Sequence, residues 1–138
     1  MYKSASILLF LLVLLAGTRC NRNRFIPYIP VDFEINLNLP AYQPLTAVSG
    51  WITVSGGSRG IIIYRLNLDE FIAYDRHSTY NVDAACQVDL GDDNILITDP
   101  CSGSQWVVTD GSVATGPAEL PLQRYQTFWS PPILRIVN

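Results

Sequence analysis

Apolar and polar residues alternate along this chain in short runs. Residues 31–39, VDFEINLNL, set Val, Phe, Ile, Leu and Leu against Asp, Glu, Asn and Asn. That period of two predicts a strand with one buried and one wet face. Residues 40–49 carry Pro40 and Pro44 and read as a loop. A second strand is expected over 50–54, ended by the flexible turn SGGSRG. Residues 60–66, GIIIYRL, form a continuous β-branched run, which predicts a central strand covered on both faces. Beyond a turn at 67–70, strands are expected over 71–75, 86–90 and 94–98, with a polar loop over 77–85 and a tight GDDN turn at 91–94. Shorter extended segments follow at 105–108, 112–115 and 119–122, then a last pair at 124–129 and 133–137. No window sustains a helical period. The pattern predicts an all-β domain, a small sandwich or barrel of roughly nine to eleven short antiparallel strands.

The first residues break this pattern. Lys3 precedes an apolar run over 7–16, then Gly17, Thr18, Arg19 and Cys20. A basic start with an apolar core of this length reads as an export signal, short for a bilayer span. Cys20 points to the lipoprotein type of signal, in which that cysteine is lipidated and anchors the chain to a membrane; Arg19 departs from the small residue usual there. A plain signal cleaved near Gly17 and a retained anchor are the alternatives. The expected organisation is a signal over 1–19, a polar tether over 20–30 and a β domain over 31–138.

One domain is the expectation for 138 residues. The whole chain carries a net charge of −3, and removing residues 1–19 takes away Lys3 and Arg19 but no carboxylate, so the remainder is more acidic still. That argues against a nucleic-acid partner, which requires a basic face. With Cys20 assigned to lipid, Cys86 and Cys101 remain. In an exported chain the pair is expected as a disulfide, with two buried free thiols as the alternative.

Residues 99–125, DPCSGSQWVVTDGSVATGPAELPLQRY, carry a resemblance. In order, Pro100, Gly103, Ser104, Trp106, Asp110, Gly111, Gly116, Pro117, Ala118, Pro121, Leu122 and Tyr125 fill the frame of the second half of a Rieske iron–sulfur domain. The chain resembles that family from about residue 60 onward. The resemblance places the second-loop cluster Cys at Asp99 and the second-loop His at Ser102, and the first-loop Cys and His at Ser78 and Tyr80. It also places Cys101 at the position of an extra cysteine that bridges the two loops in Rieske proteins of the respiratory-complex type, with Cys86 a few residues later than its partner would fall. A Rieske [2Fe–2S] centre takes two thiolates on one iron and two imidazoles on the other. The chain has one His. The resemblance therefore implies a degenerate member with no cluster, no metal and no other cofactor.

His77, between Asp75 and Ser78, suggests a hydrolytic site only if a serine and an oxyanion hole face it; a surface loop histidine is the expectation. The GDDN turn lacks the later acidic ligand of a calcium loop, and residues 55–60 lack the Lys-Ser/Thr of a phosphate loop. Trp51, Trp106 and Trp129 read as core or edge aromatics. The expected function is a non-catalytic binding or structural module of the cell envelope. Its expected partner is an envelope protein, met by a tip formed from 77–80 and 100–104. The alternative is an electron-transfer protein with an atypical [2Fe–2S] or other metal centre.

Overall fold

The computed structural model describes residues 25–138. The expected signal, Cys20 and the first part of the tether lie outside the described residues. Ten strands are described: β1 (Asp32–Asn36), β2 (Trp51–Val54), β3 (Ile61–Arg65), β4 (Phe71–Asp75), β5 (Asp89–Leu90), β6 (Leu96–Thr98), β7 (Gln105–Val107), β8 (Val113–Thr115), β9 (Arg124–Ser130) and β10 (Ile133–Val137). They form a six-stranded sheet in the order β1-β10-β9-β4-β3-β2 and a four-stranded sheet in the order β5-β6-β7-β8. All the pairings are antiparallel. The architecture is all-β.

The β-branched run over 60–66 becomes β3, and its partner β4 is as apolar. In their ladder Ile62 faces Tyr74, Ile63 faces Ala73 and Tyr64 faces Ile72. Because successive side chains point to opposite faces, this pair serves two cores. Ile61, Ile63, Phe71 and Ala73 pack with Ile35, Leu134 and Ile136 of the same large sheet and with Leu45 of the segment between β1 and β2. Ile62, Tyr64, Ile72 and Tyr74 pack with Val88, Leu90, Ile97 and Trp106 beneath the small sheet. A strand pair covered on both faces needs no polar alternation, which is why its sequence shows none. Each fully buried Ile here contributes about 1.5–3 kcal/mol of transfer free energy.

Trp106 fills the second core with no exposed surface, and its indole N–H donates to the Leu120 carbonyl at 2.9 Å. That bond satisfies the polar end of an otherwise apolar side chain. Gly111 lets the backbone pass against the Tyr74 ring: it sits at φ 74°, and a Cβ there would collide with ring carbons.

Three expectations are corrected. Residues 40–46 are not an irregular loop but a 3-10 turn, Pro40–Thr46. Two prolines fix φ near the 3-10 value, Leu45 is fully buried, and the Arg65 guanidinium donates to the Leu45 and Thr46 carbonyls at 2.9 and 3.1 Å. The strand expected over 86–90 shortens to Asp89–Leu90, because Cys86 is held by its sulfur and Gln87 only bridges to His77. Residues 119–122 form no strand.

Candidate functional site

Two loops meet at one end of the small sheet. The first leaves β4 and runs through residues 76–88; the second joins β6 to β7 through residues 99–104. A disulfide between Cys86 and Cys101 ties them together, closing a sequence separation of 15 with Cα atoms 6.3 Å apart. The Ser78 N–H also donates to the Cys86 carbonyl at 2.9 Å.

Asp99 is the centre of what lies between the loops. It is 1% exposed, and its Oδ2 accepts the hydroxyl protons of Ser78 and Ser102, both at 2.7 Å. Its Oδ1 accepts the Cys101 N–H at 2.8 Å. Ser102 and Ser104 place their hydroxyl oxygens 2.9 Å apart. With the single Ser102 proton on Asp99, the Ser104 hydroxyl is the donor of that pair, and Ser104 Oγ in turn accepts the Ala118 N–H at 3.0 Å. The chain Ala118–Ser104–Ser102–Asp99–Ser78 is therefore a continuous polar network of fully buried and half-buried groups. Among the described residues three ion pairs form, Arg76–Asp89, Arg124–Glu70 and Arg135–Asp32. None includes Asp99, so neutral donors alone hold this buried carboxylate, and each charge-assisted bond is shorter and stronger than a neutral one.

Three of the four positions predicted from the resemblance, Ser78, Asp99 and Ser102, thus converge in direct contact. Tyr80 does not join them through its side chain. It packs half-buried against the second core, and its backbone N–H donates to Ser78 Oγ at 3.2 Å.

His77 requires a correction: it is not a surface histidine but is 3% exposed. Its Nε2 lies 2.8 Å from the Val82 carbonyl, which can only accept, so Nε2 carries the proton. Nδ1 then accepts the Ser58 hydroxyl at 2.8 Å. The sequence neighbours Asp75 and Ser78 do not hydrogen-bond its ring; Asp75 instead accepts the His77 backbone N–H at 2.8 Å. Asp75, 1% exposed, also accepts the Ser58 N–H at 2.6 Å, the Arg59 N–H at 3.3 Å and the Tyr125 hydroxyl at 2.7 Å. Burial, that hydrogen bond and the Asp75 charge push the Tyr125 phenol well above its ordinary range. Gly57, at φ 57°, brings the loop onto this carboxylate; a Cβ there would overlap Asp75 and Tyr125. The glycine-rich turn at 55–60 therefore wraps the chain's own anion. It also lines an open polar groove of about 510 Å³ with Arg76 and Gln87, and that groove contains no predicted site residue.

Sequence reasoning missed this Asp75–His77–Ser58 cluster. One signal was available. Phe71, Ala73 and Asp75 share a face of β4, so a carboxylate on that buried face had to find donors.

A [2Fe–2S] centre of the Rieske type does not fit these residues. The single imidazole of the chain is committed to Ser58 and Val82, both loop cysteines are in the disulfide, and hydroxyl and carboxylate groups occupy the remaining positions.

The fold is that of Rieske-type domains. The chain is similar to the plasma membrane Rieske protein PetC3 of the cyanobacterium Synechocystis, with 23% identity and a TM-score of 0.58 over 77% of this chain and 98% of that one. It is also similar to a chain of the carbazole 1,9a-dioxygenase oxygenase–ferredoxin complex, with 18% identity and a TM-score of 0.54 over 78% of this chain and 93% of that one. The ferredoxin of carbazole 1,9a-dioxygenase from Nocardioides aromaticivorans gives 15% identity and a TM-score of 0.51 over 79% of this chain and 97% of its own length. No protein-family model and no curated protein sequence matches the chain.

Proposed function

We propose that this chain is an exported, lipid-anchored Rieske-like domain that has lost its cluster ligands and serves as a non-catalytic binding or structural module of the cell envelope. The observation that carries the reading is the self-satisfied network at the loop tip. Asp99 takes hydrogen bonds from Ser78 and Ser102 at the positions where the resemblance expects ligands. A buried carboxylate already held by hydroxyl and N–H donors of its own loops is a structural element that needs no iron–sulfur cluster beside it. The disulfide does the cross-loop work that bridging metal would otherwise do. Envelope residence is supported by the signal pattern ending at Cys20 and agrees with the plasma membrane setting of PetC3. The partner surface is the tip itself, where Pro100, Cys101 and Gly103 are exposed.

Two measurements test the reading. Protein expressed in a host that assembles iron–sulfur clusters is expected to be folded, colourless and iron-free. About two irons per chain with a red-brown spectrum would make electron transfer the function instead. The mass of the mature N-terminus decides lipidation: a diacylated Cys20 is expected, and an unmodified residue there rejects the anchor. For the tip, the Pro100→Ala, Ser102→Ala double variant is expected to lose envelope partners recovered by the native chain; undiminished recovery rules that surface out.

A further inference from the structure

The loop tip combines three groups of one chemical kind of use. Cys86 Sγ, Cys101 Sγ and a carboxylate oxygen of Asp99 all lie within 4.8 Å of one another. We propose that, once the disulfide is opened by a dithiol reductant, Cys86, Cys101 and Asp99 form a mononuclear site for a soft or borderline divalent cation, with zinc the best match. This inference rests on the tip carrying no iron–sulfur cluster. It goes further, because it assigns that tip a ligand of different type and stoichiometry.

The geometry favours it. Tetrahedral zinc takes thiolates at about 2.3 Å and carboxylate oxygens at about 2.0–2.2 Å, which sets bound sulfurs about 3.8 Å apart. The Cα atoms of Cys86 and Cys101 are already 6.3 Å apart, so the sulfurs can reach that separation by side-chain rotation with the backbone in place. Asp99 Oδ1 accepts only the Cys101 N–H, and Oδ2 is the oxygen held by the two serines. One lone pair of Oδ1 is thus available. The serine hydroxyls would act as the outer partners that fix a ligating carboxylate.

The electrostatics favour it as well. Asp99 is buried, with no ion pair among the described residues. Metal binding deprotonates both thiols, so two thiolates and this carboxylate would place three negative charges around the ion. A divalent cation neutralises most of that charge, and its fourth position is open to water because Cys101 is on the surface.

The redox step balances. Cys101 is exposed and Cys86 is buried, so the reductant thiolate forms its bond to Cys101 Sγ and the Cys86 sulfur leaves as thiolate. The second thiol of the reductant then displaces Cys101 and closes its own disulfide. Two electrons pass from the dithiol to the protein disulfide. Metal binding afterwards replaces the two thiol protons, which go to solvent.

The test uses full-length protein, first oxidised and then reduced with a phosphine and freed of reductant under inert gas. Each form is titrated with cobalt(II) as a spectroscopic stand-in and with zinc in competition. The oxidised protein is expected to bind neither metal at the tip. The reduced protein is expected to bind about one cobalt per chain with a thiolate-to-metal charge-transfer band, bleached by zinc. Asp99→Asn, which keeps the side-chain shape, is expected to weaken binding at least by the roughly tenfold that losing even an outer partner costs. Near-ultraviolet circular dichroism reports whether the core around Trp106 stays packed after reduction. Absence of the band, equal affinity in Asp99→Asn, binding only by an unfolded chain, or undiminished binding in Cys86→Ser, Cys101→Ser would each overturn the site. Iron and colour present before any reduction would instead overturn the cluster-free reading, so the two failures are distinguishable.

Discussion

At the scale of single residues, buried oxygen atoms decide what this chain tolerates. Asp75 gathers three backbone N–H groups and a phenol. Asp75→Ala would leave the buried His77 N–H and Tyr125 hydroxyl without their acceptor and free the part-buried Ser58 and Arg59 N–H groups, so we expect a loss of about 3 kcal/mol, read as a lower midpoint in urea with an unchanged slope. Tyr74 is the opposite case: its hydroxyl is buried with no hydrogen-bond partner. Burial pushes its pKa up to about 12, with nearby Asp110 reinforcing the shift and Arg124 opposing it. The unfolded phenol titrates near pH 10. A raised folded pKa means that above about pH 10 the unfolded chain holds fewer protons than the native one, so stability falls as pH rises from about 10 toward 12 and is level below that window. Tyr125 adds to the same alkaline loss. Tyr74→Phe is expected to match or exceed the native chain at neutral pH and to lose less stability between pH 10 and 12. A steeper alkaline decline in the variant would contradict the assignment.

At the scale of elements, the disulfide is the tip's main fastening. Closing a loop of 15 residues is worth about 3 kcal/mol in the chain-entropy model. Cys86→Ser, Cys101→Ser is therefore expected to unfold about that much more easily, while hydrogen exchange quickens first in residues 76–88 and 99–104 and little in β3 and β4. Uniform quickening would mean that the loops and the sheet open as one unit. What was legible in the sequence at this scale follows a physical line. Strands whose burial is one-sided, such as β1, or two-sided and β-branched, such as β3, announce themselves through side-chain pattern. The Pro40–Thr46 turn did not, because its stability comes from Arg65 reaching its carbonyls from another strand. The frame around Asp99 was readable because glycine, proline and aromatic positions mark required backbone shapes. His77 was misplaced because one ring partner, Ser58, comes from a distant turn and the other, Val82, is a backbone carbonyl that no side-chain pattern marks.

At the scale of the whole molecule, two cores share one partition. Ile62 and Ile63 are neighbours in sequence, fully buried, and belong to different cores. Either Ile→Ala change is expected to cost about 2–5 kcal/mol. Since the β3–β4 ladder cannot lose one face and keep the other, both variants should unfold in a single transition. Near-ultraviolet dichroism, amide dichroism and fluorescence should give coincident curves; separated curves would show the small sheet melting on its own. The Cys86–Cys101 bond has a consequence for how such a chain matures. A domain whose loops are joined by a cluster needs iron and sulfide delivered by other proteins before it is complete. A domain whose loops are joined by two sulfurs needs only the removal of two electrons. Its final shape can then be reached wherever an oxidant of thiols is at hand, with no iron or sulfide delivered to it.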